Sequence, residues 1–349
     1  MSAQQQDRIP KYPLTAYPPL SVRSLYPQYR SLLADGIIPF WLSHGLDEEH
    51  GGVLSCMRED GTRISEDKYT WSQARFVWTM SALFNRFEPR PEFIRAARKT
   101  IDFLLAYARD EAGWLVYRTT REGVPLEGAI SIYSDCFLVY GLSEYCRAVP
   151  DRGLIELAVE TFWRIAKRVK DTDFRETAPY ALLPGRQIHG IPMILTEVAN
   201  ELAATTGDAS IARAADEYAA QVMTRFVRPE RKLLLEFLGA GYRELPPNEG
   251  TFVMPGHAIE SMWFSLHCAR RRSDAMAIRR AAETIRWHVE AGWDWEFGGF
   301  FLGIDADGGE PFLPNSEKKI WWPHTEALYA LLLAYQLTGE PWCLDWYGR

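Results

Sequence analysis

Apolar residues recur at helical spacing in five long segments, Lys68 to Phe87, Ile130 to Val149, Gly190 to Thr206, Gly256 to Arg272 and Trp321 to Thr338. Their starts are 62, 60, 66 and 65 residues apart. Each opens a unit that continues into a second helical stretch, for example Glu92 to Ala108, Arg152 to Val169 and Ile211 to Phe226. A supersecondary unit returning at near-constant spacing is the mark of a repeat architecture. The pattern therefore predicts an all-α fold, an (α/α)6 toroid or barrel of helix pairs. The first set carries Gly, Cys and Trp all round and is expected to line the inside. Its partners have one charged face, as in ARRRSDAMAIRRAAETI (269–285), and are expected outside. One more unit would open a sixth inner helix near position 386, by adding about 65 to Trp321, so the ring is expected to lack its last inner helix and the C-terminal end to be cut short.

Between the pairs lie short Gly-, Asp- and aromatic-rich segments such as DEEHGGVLSCMREDG (47–61) and GWDWEFGGFFLGIDADG (292–308), which read as hairpins or loops at one rim. Composition sharpens the picture in a few places. A chain of 349 residues that is 47% hydrophobic can bury one large core, so residues 1–349 are expected to form a single domain, preceded by an extended arm at 1–20. The net charge is -7 with no basic run, which argues against nucleic acid as a partner. No apolar stretch reaches the roughly 20 residues a membrane span needs, and the polar start MSAQQQDRIPKYP has no signal-peptide core, so a cytoplasmic protein without a membrane partner is expected. Cys56, Cys136, Cys146, Cys268 and Cys343 form no CxxC and read as free thiols. The 13 Trp and 16 Tyr residues suit a core, and also suit stacking on the flat faces of sugars.

Three segments place ionisable groups beside Trp and Gly at the starts of inner helices, where free N–H groups favour oxyanions: KYTWSQAR (68–75), MPGHAIESMWF (254–264) and KKIWWPHTEAL (318–328). His257 and Glu260, three residues apart, share a helix face. His324 and Glu326 diverge by about 200° and need not both face a cavity. His44, His50, His267 and His288 read as structural groups. HisxxGlu also occurs in metal sites, yet neither HExxH nor a cysteine pair supplies further ligands, so no metal is expected. Kinase and dehydrogenase readings fail for want of a phosphate-cradling Gly-rich loop. A glycoside hydrolase stays open, because Asp135, Glu197, Glu260 and Glu326 all fall on inner helices and hydrolysis needs two carboxyls about 5 to 9.5 Å apart. A catalytically silent interaction protein is the third reading.

At these segments the chain resembles the N-acylglucosamine 2-epimerase family, also known through renin-binding protein. DEEHGGVLSCMREDG with KYTWSQAR, IYSDCF (132–137), GIPMIL (190–195), PGHAIESMWF, GGFFLGIDADG and KIWWPHTEA follow the family's order over nearly the whole chain. The resemblance implies an isomerase that opens a sugar and moves the C2 proton through a cis-enediolate, interconverting N-acylglucosamine and N-acylmannosamine. It implies His257 as an acid/base histidine, Arg75 as the holder of the carbonyl or enediolate oxygen, and Glu326 as an orienting or assisting group. Glu260, Trp322, His324 and His189 are the implied substrate-binding positions. The family's second catalytic histidine, in a Gly-Xaa-Phe-His-Val-Pro-Arg-like segment, has no counterpart here, which opens the alternative of a silent member.

Related mannose isomerases and cellobiose 2-epimerases carry Asn-Xaa-His-Xaa-Xaa-Xaa-Glu on the third inner helix. Here Pro192, Met193 and Ile194 stand there with Glu197 retained, and His189 lies just upstream. That favours the N-acyl sugar over mannose or cellobiose chemistry. The resemblance also implies that no cofactor is consumed, that ATP or another nucleotide can serve as an activator, and that the chain forms a homodimer. Leu183-Pro184-Gly185-Arg186, where a nucleotide loop would fall, reads as an ordinary turn.

Overall fold

The computed structural model describes residues 22–171, 174 and 184–349. The arm at 1–20 and Leu183 lie outside the described residues. Chain contacts sort into two compact units. One comprises Val22–Leu182 with Val198–Ala212, the other Leu183–Glu197 with Arg213–Arg349.

In the first unit, α1 (Val22–Ser31) leads through wider helical turns to Gly45. It is followed by the pair α2 (Thr70–Arg86) and α3 (Pro91–Tyr107) and the pair α4 (Ile132–Ala148) and α5 (Arg152–Arg168). α6 (Gly190–Thr206) is divided between the units at Glu197. α7 (Ala209–Gln221) is likewise divided, after Ala212, and the second unit adds α8 (Pro255–Arg271) with α9 (Ala275–Gly292), and α10 (Trp321–Thr338) with the short α11 (Trp342–Tyr347). All five inner helices begin within two residues of the positions the periodicity predicts.

The two helix types differ as their patterns require. α4 buries Ile132, Ser134 through Val139 and Gly141 through Cys146, so its buried positions cover every side of the helix. α5 buries only Leu154, Ala158, Thr161, Phe162, Ile165 and Ala166, a stripe at three- and four-residue spacing. Side-chain caps start three of these helices. Ser131 accepts the Tyr133 N–H, Asp151 the Leu154 N–H and Asp274 the Ala277 N–H, each satisfying a donor the helix leaves orphaned. The consecutive inner helices α2 and α4 pack so closely that a Cβ on Gly141 would stand 2.6 Å from the Ala74 carbonyl oxygen.

The inter-pair segments hold short antiparallel ladders. β1 (Lys68–Tyr69) pairs with β2 (Arg118–Thr119), which pairs with β3 (Pro125–Glu127). β4 (Gln187–Ile188) pairs with β7 (Phe237–Leu238), β5 (Val227–Arg228) with β6 (Leu233–Leu234), and β8 (Phe252–Val253) with β9 (Ile304–Asp305). In the first unit a buried ion cluster pins the 47–52 loop. The fully buried Lys68 ammonium donates to Asp47 at 2.9 Å and to the Gly51 and Arg121 carbonyls at 2.7 Å, while the Arg121 guanidinium forks onto Asp47. These two cations hold the Asp47 carboxyl far below the usual carboxylate range although burial works the other way. Among the described residues no helix is long and apolar enough to cross a membrane.

Gly141→Ala should destabilise the protein by about 1–3 kcal/mol, since neither a backbone carbonyl nor Val77 can yield much room. A thermal melt should fall by several degrees; an unchanged melting point would mean that α2 and α4 do not pack this tightly.

Candidate active site

The site in the second unit grows from a ladder, not from a helix. Pairing Ile188 with Phe237 in β4 and β7 sets His189 beside Glu236, and the His189 backbone N–H donates to the Glu236 carbonyl at 3.0 Å. The Glu236 N–H donates to the carbonyl of Phe252 in β8, which leads through Met254 into α8 and its first-turn His257. Three chain segments thus converge by main-chain bonds before any side chain contributes. Behind them His288 on α9 anchors the hairpin of β5 and β6. Its Nε2 accepts the Leu234 N–H at 2.9 Å while its Nδ1 faces the Thr284 carbonyl at 2.8 Å.

At the centre stands Glu236, with a side chain 1% exposed. His257 Nδ1 lies 3.1 Å from its Oε1, and His189 Nδ1 3.4 Å from its Oε2. Burial favours the neutral acid, yet the two imidazoles outweigh it and hold the carboxyl far below the usual range. Burial likewise opposes charge on His257, but Glu236, with Glu260 and Glu326 contributing, raises its pKa above the ordinary value. His189 responds oppositely: it is fully buried, and burial lowers its pKa despite Glu236. His257 is the member that reaches outward, its side chain 16% exposed.

The Trp322 ring lies against His257, with centroids 5.2 Å apart and planes at 37°. Gly256 makes that approach possible, because a Cβ there would come within 2.4 Å of the indole. Glu326 accepts the Trp263 indole N–H at 2.7 Å, which joins α8 to α10 one turn beyond His257. Deeper along α8, His267 donates to Glu197 through Nδ1 and faces the Tyr329 hydroxyl through Nε2, both at 2.9 Å.

The structure thus brings His257, His189, Trp322, Glu260 and Glu326 into one neighbourhood. His324 is a correction. Its Nδ1 is bonded to the Ile320 carbonyl of its own helix cap at 2.7 Å and its Nε2 accepts the Phe300 N–H of the 292–303 loop at 3.0 Å, so both ring nitrogens are engaged by backbone. Arg75 belongs to the first unit, where its exposed guanidinium lies 3.8 Å from the centroid of Phe137. Asp135 is buried, takes the Leu115 N–H, and is pushed up to about 7 by burial. Pro184 and Gly185 form a turn, and Arg186 forks onto Glu249.

The sequence reading missed Glu236. Its signal was a lone acid inside the apolar run Leu233-Leu234-Leu235-Glu236-Phe237-Leu238, every member of which is buried. A charge embedded in such a run must have partners. His189 Nδ1, His257 Nδ1 and a Glu236 oxygen lie within 4.8 Å of one another, a spacing a divalent ion could bridge. The same spacing is met by one proton on each nitrogen, as the individual hydrogen-bond distances show.

A carboxylate-held histidine, set at the start of an inner helix of a helix-pair fold, has the arrangement that acid/base chemistry uses. The N-acylglucosamine 2-epimerase (GlcNAc 2-epimerase) family model matches residues 51–349, and the chain belongs to that family. The N-acylglucosamine 2-epimerase of Bos taurus is 33% identical over 316 residues, covering 88% of this chain and 74% of the relative. That of Rattus norvegicus is 31% identical over 325 residues, covering 89% and 76%. Among solved structures, cellobiose 2-epimerase from Bacillus thermoamylovorans B4167 superposes with a TM-score of 0.80 at 17% identity, covering 93% of this chain and 85% of that one. This likeness shows the fold class, the (α/α)6 barrel of helix pairs.

Ring-proton NMR across the acid and neutral range should find His257 titrating above the ordinary histidine value of about 6.5. His288 should titrate near the value of about 4 to which burial depresses it. A His257 that titrates below 6.5 would contradict the ionised Glu236 beside it.

Proposed function

We propose that this chain is an isomerase that interconverts N-acylglucosamine and N-acylmannosamine by removing and returning the proton at C2. Membership of the family and the two N-acylglucosamine 2-epimerase relatives support the reaction. The observation that carries it to a residue is His257, whose Nδ1 is engaged by a buried carboxylate while its ring keeps an exposed edge.

The chemistry needs the open-chain aldehyde, which acidifies C2–H. Nε2 of His257 takes the proton and the electron pair moves onto the carbonyl oxygen, leaving an enolate whose C2 carries the acylamino group in place of the cis-enediolate of a 2-hydroxy sugar. Arg75 is assigned to that developing oxyanion, where a fixed guanidinium fork is worth more than a point charge. Glu326 and Glu260 are assigned to orienting the sugar hydroxyls, and Trp322, already against His257, to a wall of the sugar site. Inversion needs a second donor that delivers a proton to the opposite face of C2, while the proton taken by His257 passes to solvent. The oxidation state is unchanged, so no consumed cofactor is required, and ATP or another nucleotide would act only as an activator. Ile194, 4% exposed, occupies the place where the resemblance puts a histidine in mannose isomerases and cellobiose 2-epimerases, which favours the N-acyl sugar. A cytoplasmic homodimer is the setting we assign, and light scattering at the single-chain mass would remove the dimer.

The test is proton NMR in deuterated water with N-acetylglucosamine or N-acetylmannosamine, with and without ATP. The C2 proton signal should vanish as the epimer grows. Conversion of mannose or cellobiose alone would replace the proposed substrate class, and a folded chain inert on all four sugars would sink the reaction. His257→Ala should abolish C2 exchange at least about 100-fold while leaving the fold intact, and Arg75→Lys should lose most turnover. Unchanged exchange in either variant would remove that residue from its role.

A further inference from the structure

Resting on the 2-epimerase reading, we infer that Glu236 is a positioning residue: its buried carboxylate holds His257 with Nδ1 protonated, leaving Nε2 bare to receive the C2 proton. An ionised carboxylate can only accept. With Oε1 3.1 Å from His257 Nδ1 and Oε2 3.4 Å from His189 Nδ1, each Nδ1 must be the protonated nitrogen of its ring. The neutral His257 tautomer is thereby chosen without any contact to substrate.

His189 completes the device from behind. It is fully buried, so it does not meet a sugar, and its Nε2 has no hydrogen-bond partner among the described residues. Its single polar side-chain contact is with Glu236. That contact occupies the second carboxylate oxygen, and the ladder of β4 and β7 fixes the backbones of both residues. The carboxylate cannot turn away from His257 without leaving His189 unpaired.

The proton balance is closed. The C2–H bond breaks, the electron pair forms the enolate, and the proton bonds to His257 Nε2, creating an imidazolium beside the Glu236 anion. Glu236 keeps its charge throughout, and the reverse step returns the proton. The charged or titratable groups acting on His257 are Glu236 between β6 and β7, His189 at the end of β4, Glu260 on its own helix and Glu326 on α10. Removing the Glu236 charge lowers the basicity of His257. The acid limb of kcat/KM should then move to lower pH, a displacement that loss of structure alone would not produce.

The experiment uses the full chain labelled with 15N-histidine, without sugar, above the His257 titration. A pyrrole-type Nδ1 and pyridine-type Nε2 for His257 are expected; the inverted tautomer overturns the inference. This reading needs no turnover, so a chain that fails to epimerise defeats the proposed reaction while the assignment of the tautomer is decided separately. Glu236→Gln presents an amide that cannot accept from both rings. Its kcat should fall at least about 100-fold with KM little changed, and the acid limb should move to lower pH. Glu236→Asp keeps the charge at shorter reach, should lose less activity and should retain the wild-type limb. Wild-type kcat in the Gln variant, or a limb that stays in place, overturns the positioning role.

Discussion

Burying the Glu236 carboxylate is the constraint around which the site is organised. An isolated carboxylate in an apolar interior is prohibitively unfavourable and would take up a proton. Here it remains ionised because two imidazoles arrive from two other chain segments. That requirement accounts for the ladder of β4 and β7, the backbone bond from Glu236 to Phe252, and the placement of His257 in the first turn of α8. None of these short ladders would persist alone in water, since two residues a side give too few bonds and too little buried area. They persist because they close over a charge that must be compensated.

The first unit meets the same problem with different chemistry. Asp47 is buried against Lys68 and Arg121, an ammonium and a guanidinium that both donate to it. This cluster holds a loop, whereas the imidazoles around Glu236 can exchange protons. The contrast separates a structural ion cluster from an acid/base one. Both bury a carboxylate; only the second has imidazole partners, one of which, His257, reaches outward.

Close approach is the other recurring device. Gly141 lets α2 meet α4, and Gly256 lets the Trp322 indole lie on the first turn of α8. At Gly256 the consequence is chemical, because the ring that fills the missing side chain's space is the ring that covers one side of His257. His324, two residues further along α10, uses both its nitrogens on backbone groups and so fixes the 292–303 loop. Neighbouring aromatic residues in the same motif therefore serve different ends.

The sequence by itself determined the helix pairs, because a 3.6-residue period and a repeat of 60–66 residues are properties of local order. It also marked His257, His189, Trp322, Glu260 and Glu326 through their motifs. What it did not determine was partnership. Nothing within the 47 residues separating His189 from Glu236 announces that they meet, and the pairing exists only through strands of two residues, too short to carry a legible alternation. Glu236 was visible as a charge within an apolar run, and His324 as a histidine at a helix start. Only the tertiary structure decided that the first is the hub of the acid/base pair and the second a loop clasp, since both roles depend on which distant backbone atoms lie within about 3 Å.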